Sequence, residues 1–183
     1  TSALLRARTL ADAAKSLVGV TQVSLAVAPI TATERLVGFA SEAKTMTSRM
    51  LDGTFPPYRH LLPSESIAQA TIEVAPFLDS VRRVALVTDK TVPLRLRFAD
   101  SKLQLEAGAG EEAQATEELT IIYNGEAIDI AFNPTFLMDG LHAVGTPFVH
   151  IAFTGSNKPA VLSGKHEKDG PTSENYRYLL MPI

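Results

Sequence analysis

His60, His142, His150 and His166 are the four histidines of this 183-residue chain, and cysteine is absent. Enzymes working near neutral pH draw mostly on histidine as proton carrier, on cysteine or an activated serine as nucleophile, or on paired carboxylates. Here the histidines have no metal-ligand spacing, and no acid pair stands out from ordinary surface carboxylates. Gly155-Ser156-Asn157-Lys158 has the composition of a turn, without the pattern of a nucleophile elbow or a phosphate-binding loop. The sequence therefore nominates no catalytic residue, no metal ligand and no cofactor. The nearest approach to a catalytic set is His60 with Asn133, which a small hydrolase or transferase could use if one groove held both.

Composition narrows the class further. Hydrophobic residues make up 45% and charged residues 20%, as in an ordinary globular protein. No apolar run approaches the about 20 residues a membrane helix needs, and no basic segment followed by an apolar one opens the chain. No membrane partner is expected, and the chain reads as cytoplasmic. The formal net charge is −3. That balance argues against tight, sequence-reading DNA binding, which usually goes with a basic protein. It leaves room for basic residues gathered on one face and acidic ones elsewhere.

The elements that must position any site repeat along the chain. Residues 4–60, 71–124 and 127–183 share one order of periods: a short apolar strand, a helix of about three turns, then three strands. The helices are expected at 9–17, 76–84 and 134–142. Leu10, Ala13, Ala14 and Leu17 fall on one face of the first, Leu78, Val81 and Ala85 on one face of the second. Phe136, Leu137, Gly140, Leu141 and Val144 do so in the third. Pro76 and Pro134 suit a first helical turn, and Asn133 can cap ahead of Pro134. The strands alternate: Val23, Leu25 and Val27 against Ser24 and Ala26, and Leu94, Leu96 and Phe98 against Arg95 and Arg97. This is the signature of antiparallel sheet with one wet face. The fold class is α+β, built from β-α-β-β-β units. Two units would make a two-layer domain with an antiparallel sheet covered on one face by two helices. Residues 1–60 would be half of one domain and 61–183 a complete one, joined by a linker carrying Pro56, Pro57 and Pro63. The chain begins and ends on strand-like segments, as part of something longer would.

At that linker a family resemblance emerges. Leu51-Asp52-Gly53-Thr54-Phe55-Pro56-Pro57-Tyr58-Arg59 resembles the inter-domain signature of the bacterial sliding clamps, the beta subunits of DNA polymerase III. Tyr123-Asn124-Gly125, followed by Ile130-Ala131-Phe132-Asn133-Pro134-Thr135-Phe136-Leu137, is similar to a second clamp motif. Tyr178-Leu179-Leu180-Met181-Pro182-Ile183 looks like the family's C-terminal strand. Order and spacing agree across essentially the whole chain. The resemblance implies a DNA-clamp fold: residues 1–60 as the second half of the middle domain, 61–183 as the third. It also implies a non-catalytic processivity factor. Two full-length chains would close head to tail into a homodimeric ring around duplex DNA. DNA polymerase III, the clamp loader and repair polymerases would dock through short linear peptides.

By motif position, the implied peptide pocket is lined by Pro56, His60, Leu61, Asn133, Phe136, Leu179, Met181, Pro182 and Ile183. His60 stands where the family often has Arg, and Phe136 where it often has Tyr. A surface rich in Met and Leu can repack around several partners; the plain alternative is that these side chains are core. Clamp helices face the central channel, so Arg6, Arg8, Lys15, Arg82 and Arg83 would make weak, sequence-independent phosphate contacts. The alternative is a solvated charge face with Asp79 and Arg83 paired at i, i+4. At the ring interface the resemblance places Leu86 and Val87 as an apolar knob, with Glu111, Glu112, Glu117 and Glu118 on a neighbouring edge strand. Charged edges also guard against aggregation by themselves. Outside the clamp reading stand an interaction scaffold that never meets DNA, and the small hydrolase or transferase using the inter-domain groove.

Overall fold

A computed structural model of the chain describes residues 2–29, 31–63, 65–87, 92–108 and 113–183. The chain divides into two compact units, residues 1–57 and 58–183.

The first unit carries α1 (Ala7–Ser16), β1 (Ser24–Val27), β2 (Leu36–Ala40) and β3 (Thr45–Arg49), the strands forming an antiparallel sheet in that order. Its core is small: Ala13, Val37, Phe39 and Met50, flanked by Leu5, Leu17, Val27, Ala28 and Met46. Lys44 Nζ donates to the Ser16 carbonyl at 2.9 Å and ties the end of α1 to the β2–β3 turn. The strand expected at Ala3-Leu4-Leu5 does not form. Leu4 only accepts one backbone bond from Leu51 N–H, at 2.8 Å, and one bond is no ladder. The expected buried faces are also only partly buried: Ala13 is inside, while Leu10 is 49% and Leu25 65% exposed. With so few core residues, the unit covers one side of its helix and sheet and leaves the other bare.

The second unit holds β4 (Ala68–Glu73), α2 (Val74–Val84), β5 (Leu94–Ala99), β6 (Lys102–Ala107), β7 (Ala115–Thr120), β8 (Ile122–Gly125), β9 (Ile128–Phe132), α3 (Pro134–Ala143), β10 (Phe148–Phe153), β11 (Ala160–Lys165) and β12 (Arg177–Leu180). A short 3-10 turn, Tyr58–Leu61, precedes them. The α+β class and the antiparallel pairing are as expected. The strands, however, divide between two sheets, β12-β11-β10-β4-β8 and β7-β6-β5-β9. The division happens inside one extended stretch. β7 pairs with β6, Ile121 breaks the ladder and bonds to the Ser101 carbonyl at 2.9 Å, and β8 continues against β4 in the other sheet.

Strand alternation places Leu94, Leu96 and Phe98, then Leu103 and Leu105, then Ile128, Ile130 and Phe132 inside, with Arg95 and Arg97 outside. The two helices pack on each other and fill the space against these faces with Phe77, Val81, Val84, Leu137 and Leu141. Side chains of this size each contribute about 1.5–3 kcal/mol on burial. α2 begins two residues earlier than expected, which puts Pro76 at the third helical position. Its missing N–H still costs nothing there, because the first four amides lack intrahelical partners. Asn133 caps α3 as expected, its side chain accepting from Thr135 N–H at 2.9 Å. Gly140 lets α3 approach β12 closely: a Cβ there would lie 2.8 Å from the Tyr178 ring.

Two turn positions make opposite demands. The β5–β6 hairpin turns through Asp100 and Ser101, both left-handed at φ 48° and 61°. This is the two-residue geometry that favours Asn-Gly. Ser101→Gly should therefore raise stability by about 1 kcal/mol in urea denaturation; an unchanged midpoint would deny the strain. Gly125 has φ 122°, and a Cβ there would sit 2.6 Å from the Ala68 Cα. Gly125→Ala should cost at least about 2 kcal/mol in the same assay, and a smaller loss would mean that β4 yields.

Candidate interaction surfaces

The proposed peptide-binding side chains sort by exposure. Phe136 is 55%, Leu61 60%, Met181 61% and Ile183 70% exposed. They are large hydrophobics outside the core, contrary to the plain alternative of burial and, for Phe136, to the helix face first assigned. Leu179 and Pro182 are half-buried, and His60 is exposed. Local folding explains why. Leu137 and Leu141 occupy the inward face of α3, so Phe136, one position round, turns out. Leu180 is buried at the end of β12, so Met181 emerges beyond it.

One backbone bond and the packing of their elements relate several of them. Ile183 N–H donates to the Ala131 carbonyl at 3.0 Å, so the tail runs beside the end of β9, two residues before Asn133. α3, which carries Phe136, packs on β12, which carries Leu179. Leu62, next to Leu61, lines a concavity of about 330 Å³ with Val161, the strand partner of Leu179. Pro56 belongs to the first unit. The Asn133 side chain is engaged in capping α3, and among the described residues no hydrogen bond joins it to His60; the hydrolase alternative gains no assembled pair from them. His150 lines the same concavity, where burial, and then Lys165, hold its pKa below the usual histidine value. No group of three potential metal ligands occurs among the described residues.

Among the described residues, the basic side chains separate into those with an acidic partner and those without one. Arg6 stands at the N-cap of α1 and Lys15 in its last turn, both exposed. Arg8 lies 4.0 Å from Asp12, with both side chains largely in solvent. The expected Asp79–Arg83 pair is not formed. Asp79 instead meets Arg82 at 3.4 Å, and Arg82 also reaches His142 Nε2 at 2.8 Å. Arg83 turns the other way and grips Glu117 with both arms, Nε to Oε1 at 2.5 Å and Nη2 to Oε2 at 2.7 Å, while bonding Ser80. A planar fork on a carboxylate is the best geometry such a pair has. It commits Arg83 and Glu117 to each other, where the sequence had assigned one to DNA and the other to a neighbouring subunit. Sequence spacing missed this because Glu117 is 34 residues away.

Glu117 and Glu118 do lie on an edge strand, β7. Glu118 meets Lys102 at 2.8 Å across the β6–β7 pair. Leu86 is 84% exposed just past α2, whereas Val87 packs against the core. Glu111 and Glu112 lie outside the described residues.

A pair of helices packed together over two antiparallel sheets, with an apolar rim and scattered cations on the exposed side of the helices, is the architecture of a DNA-clamp module. Residues 59–183 match the family described as DNA polymerase III beta subunit, C-terminal domain. The chain is 46% identical to the beta sliding clamp of Streptomyces coelicolor over 99% of its own length and 48% of that protein. It is 38% identical to the beta sliding clamp homolog GriR of Streptomyces muensis, over 100% of this chain and 48% of that one. Among solved structures, the Caulobacter crescentus sliding clamp superposes with a TM-score of 0.81 at 26% identity, covering 99% of this chain and 46% of that one. The Pseudomonas aeruginosa clamp bound to griselimycin gives 0.74 at 25% identity, over 88% and 41%. The chain belongs to the DNA polymerase III beta-subunit family, the beta sliding clamps. It spans about half the length of the relatives it matches.

The Arg83–Glu117 pair makes a pH prediction. The bond from Arg83 holds the Glu117 carboxyl below the usual carboxylate value, against a smaller opposing effect of burial. A depressed folded-state pKa gives stability that is present above the ordinary carboxylate range and lost as pH falls through the folded value. Urea denaturation between about pH 7 and pH 3 should show that loss. Glu117→Gln should be less stable at neutral pH and flatter across the window; superimposable curves would show that the pair contributes nothing.

Proposed function

We propose that this chain works as part of a sliding clamp, a non-catalytic processivity element of DNA replication in the cytoplasm. Residues 1–60 act as the second half of a middle domain and residues 61–183 as the third domain. Within a full-length chain, two copies close head to tail around duplex DNA, and polymerase III, the clamp loader and repair polymerases dock through short linear motifs. Tethering of this kind raises local concentration and needs no bond-making chemistry.

The observation that carries the reading is the exposed apolar set Leu61, Phe136, Met181 and Ile183. Exposed apolar side chains mark a binding surface where they form one patch rimmed by polar groups. Met181 and Leu179 supply adaptable walls, and Phe136 an aromatic anchor. Asn133, His60 and Pro182 offer polar and rigid edges to a peptide with a Gln and a Leu-Phe-like end. On the helices, Arg6, Arg8, Lys15 and Arg82 remain for phosphate contact after Arg83 is committed to Glu117. A few exposed cations give weak, salt-sensitive contacts, and sliding requires that weakness. Leu86, with Glu118 on the open edge of β7, serves the ring interface.

Calorimetry with such a peptide tests the pocket. Phe136→Ala and Met181→Ala should each weaken binding by roughly tenfold. Both residues are exposed, so stability should move by no more than about 0.5 kcal/mol. Wild-type affinity in both variants would place the docking surface elsewhere.

A further inference from the structure

β9 is an edge strand of its sheet, paired on one side only, with β5. In an antiparallel strand the backbone groups of successive residues point to alternate edges. The Ala131 carbonyl points away from β5, because it accepts from Ile183 N–H at 3.0 Å. Asp129, two residues earlier, therefore turns its own N–H and C=O to the same open edge. Among the described residues no hydrogen bond takes them up. Edge strands often guard such groups with a proline or a bulge. Residues Ile128–Phe132 have neither, and their register with β5 is unbroken.

A cavity of about 480 Å³ opens beside that edge. Asp129 and Ala131 line it from β9, Arg95 and Arg97 from β5, and Ser156 and Asn157 from the β10–β11 turn. Its carboxylates are Asp129 and Glu106. Arg97 meets Asp129 at 3.8 Å. Arg95 stands between Glu106 and Ala131 in the cross-strand rows, and no ion pair engages it among the described residues. On the edge side its neighbour is only a methyl group, so a carboxylate arriving from there meets the guanidinium with no competing acid on that side. Ile183 lines the cavity and also belongs to the exposed apolar rim with Phe136 and Met181. Asn133, which offers a polar edge to the Gln of a docking peptide, follows Ala131 by two residues.

We propose that the β9 edge takes an acidic, extended segment lying just ahead of the Gln of a docking peptide. The segment adds as a strand through the open N–H and C=O of Asp129. One of its carboxylates meets Arg95 over the wet face of the sheet. This rests on the reading of the apolar rim as the peptide site. It adds a charge preference to that site: among partners sharing the Gln and the Leu-Phe-like end, those with acidic residues ahead of the Gln bind more tightly.

Calorimetry of this chain with three synthetic peptides tests it: the Gln and Leu-Phe-like peptide alone, the same peptide with Glu-Thr-Glu ahead of it, and the same with Lys-Thr-Lys. An exposed ion pair with one or two backbone bonds should make the acidic form bind about fivefold more tightly than the short one. The basic form should bind no more tightly than the short one. Arg95→Gln, at an exposed position, should remove most of the gain and leave the affinity of the short peptide unchanged. The Asp129 amide should exchange with solvent more slowly in the acidic complex than in the short one, which marks strand pairing. Equal affinities for the acidic and basic forms, with the short peptide still bound, would overturn the edge site alone. A gain for the acidic form with unchanged Asp129 exchange would overturn the strand pairing. No binding of any of the three would overturn the reading of the rim as well.

Discussion

Phe98 packs on Phe153 with ring centroids 4.7 Å apart and stacks near Tyr123 at 6.0 Å. Those three rings come from β5, β10 and β8, so one contact joins the four-stranded sheet to the five-stranded one. The second unit depends on it. Each sheet has an apolar face, and two sheets sharing one core leave no separate place for the helices to be covered. α2 and α3 must spend their apolar faces on that common core and on each other. Their opposite faces are then committed to solvent, and any function of the helices must use the polar residues left there. The crossing of the chain at Ile121, from β7 into β8, keeps the two sheets on one continuous backbone.

The same constraint produces the apolar rim. Gly140 against Tyr178 fixes how α3 lies on β12. With Leu137 and Leu141 inward, Phe136 has no core position available. Leu180 seals the end of β12, and the tail follows β9 through the Ile183–Ala131 bond. Phe136, Met181 and Ile183 are exposed because neighbouring residues fill the interior, so this apolar rim follows from how the core is closed.

Electrostatics on the helix side follow a similar logic. Of the two adjacent arginines, Arg83 is drawn to the edge strand by Glu117, and Arg82 is held between Asp79 and His142. Two neighbours of identical chemistry therefore have different roles. One ties a helix to β7, and the other bridges the two helices on their open face.

Much of this was legible in the residues. The helices, the alternating strands, the Asn133 cap and the motifs from Leu51 to Arg59, Tyr123 to Leu137 and Tyr178 to Ile183 rest on local periodicity and local chemistry, which a linear reading captures. Four things were not legible: two sheets in place of one, the bare flank of α1 with Leu10, the outward turn of Phe136, and the partners of Arg82, Arg83 and Glu117. Each is decided by residues far apart in the chain. Periodicity says which face of an element is apolar but not whether another element is there to cover it. Spacing along a helix identifies partners one turn away but not a carboxylate on a distant strand. The sequence by itself determined the family, the elements and the side chains available for binding. Only the tertiary structure decided which of those side chains are exposed and which charges are already spent, because burial and ion pairing are set by three-dimensional neighbours.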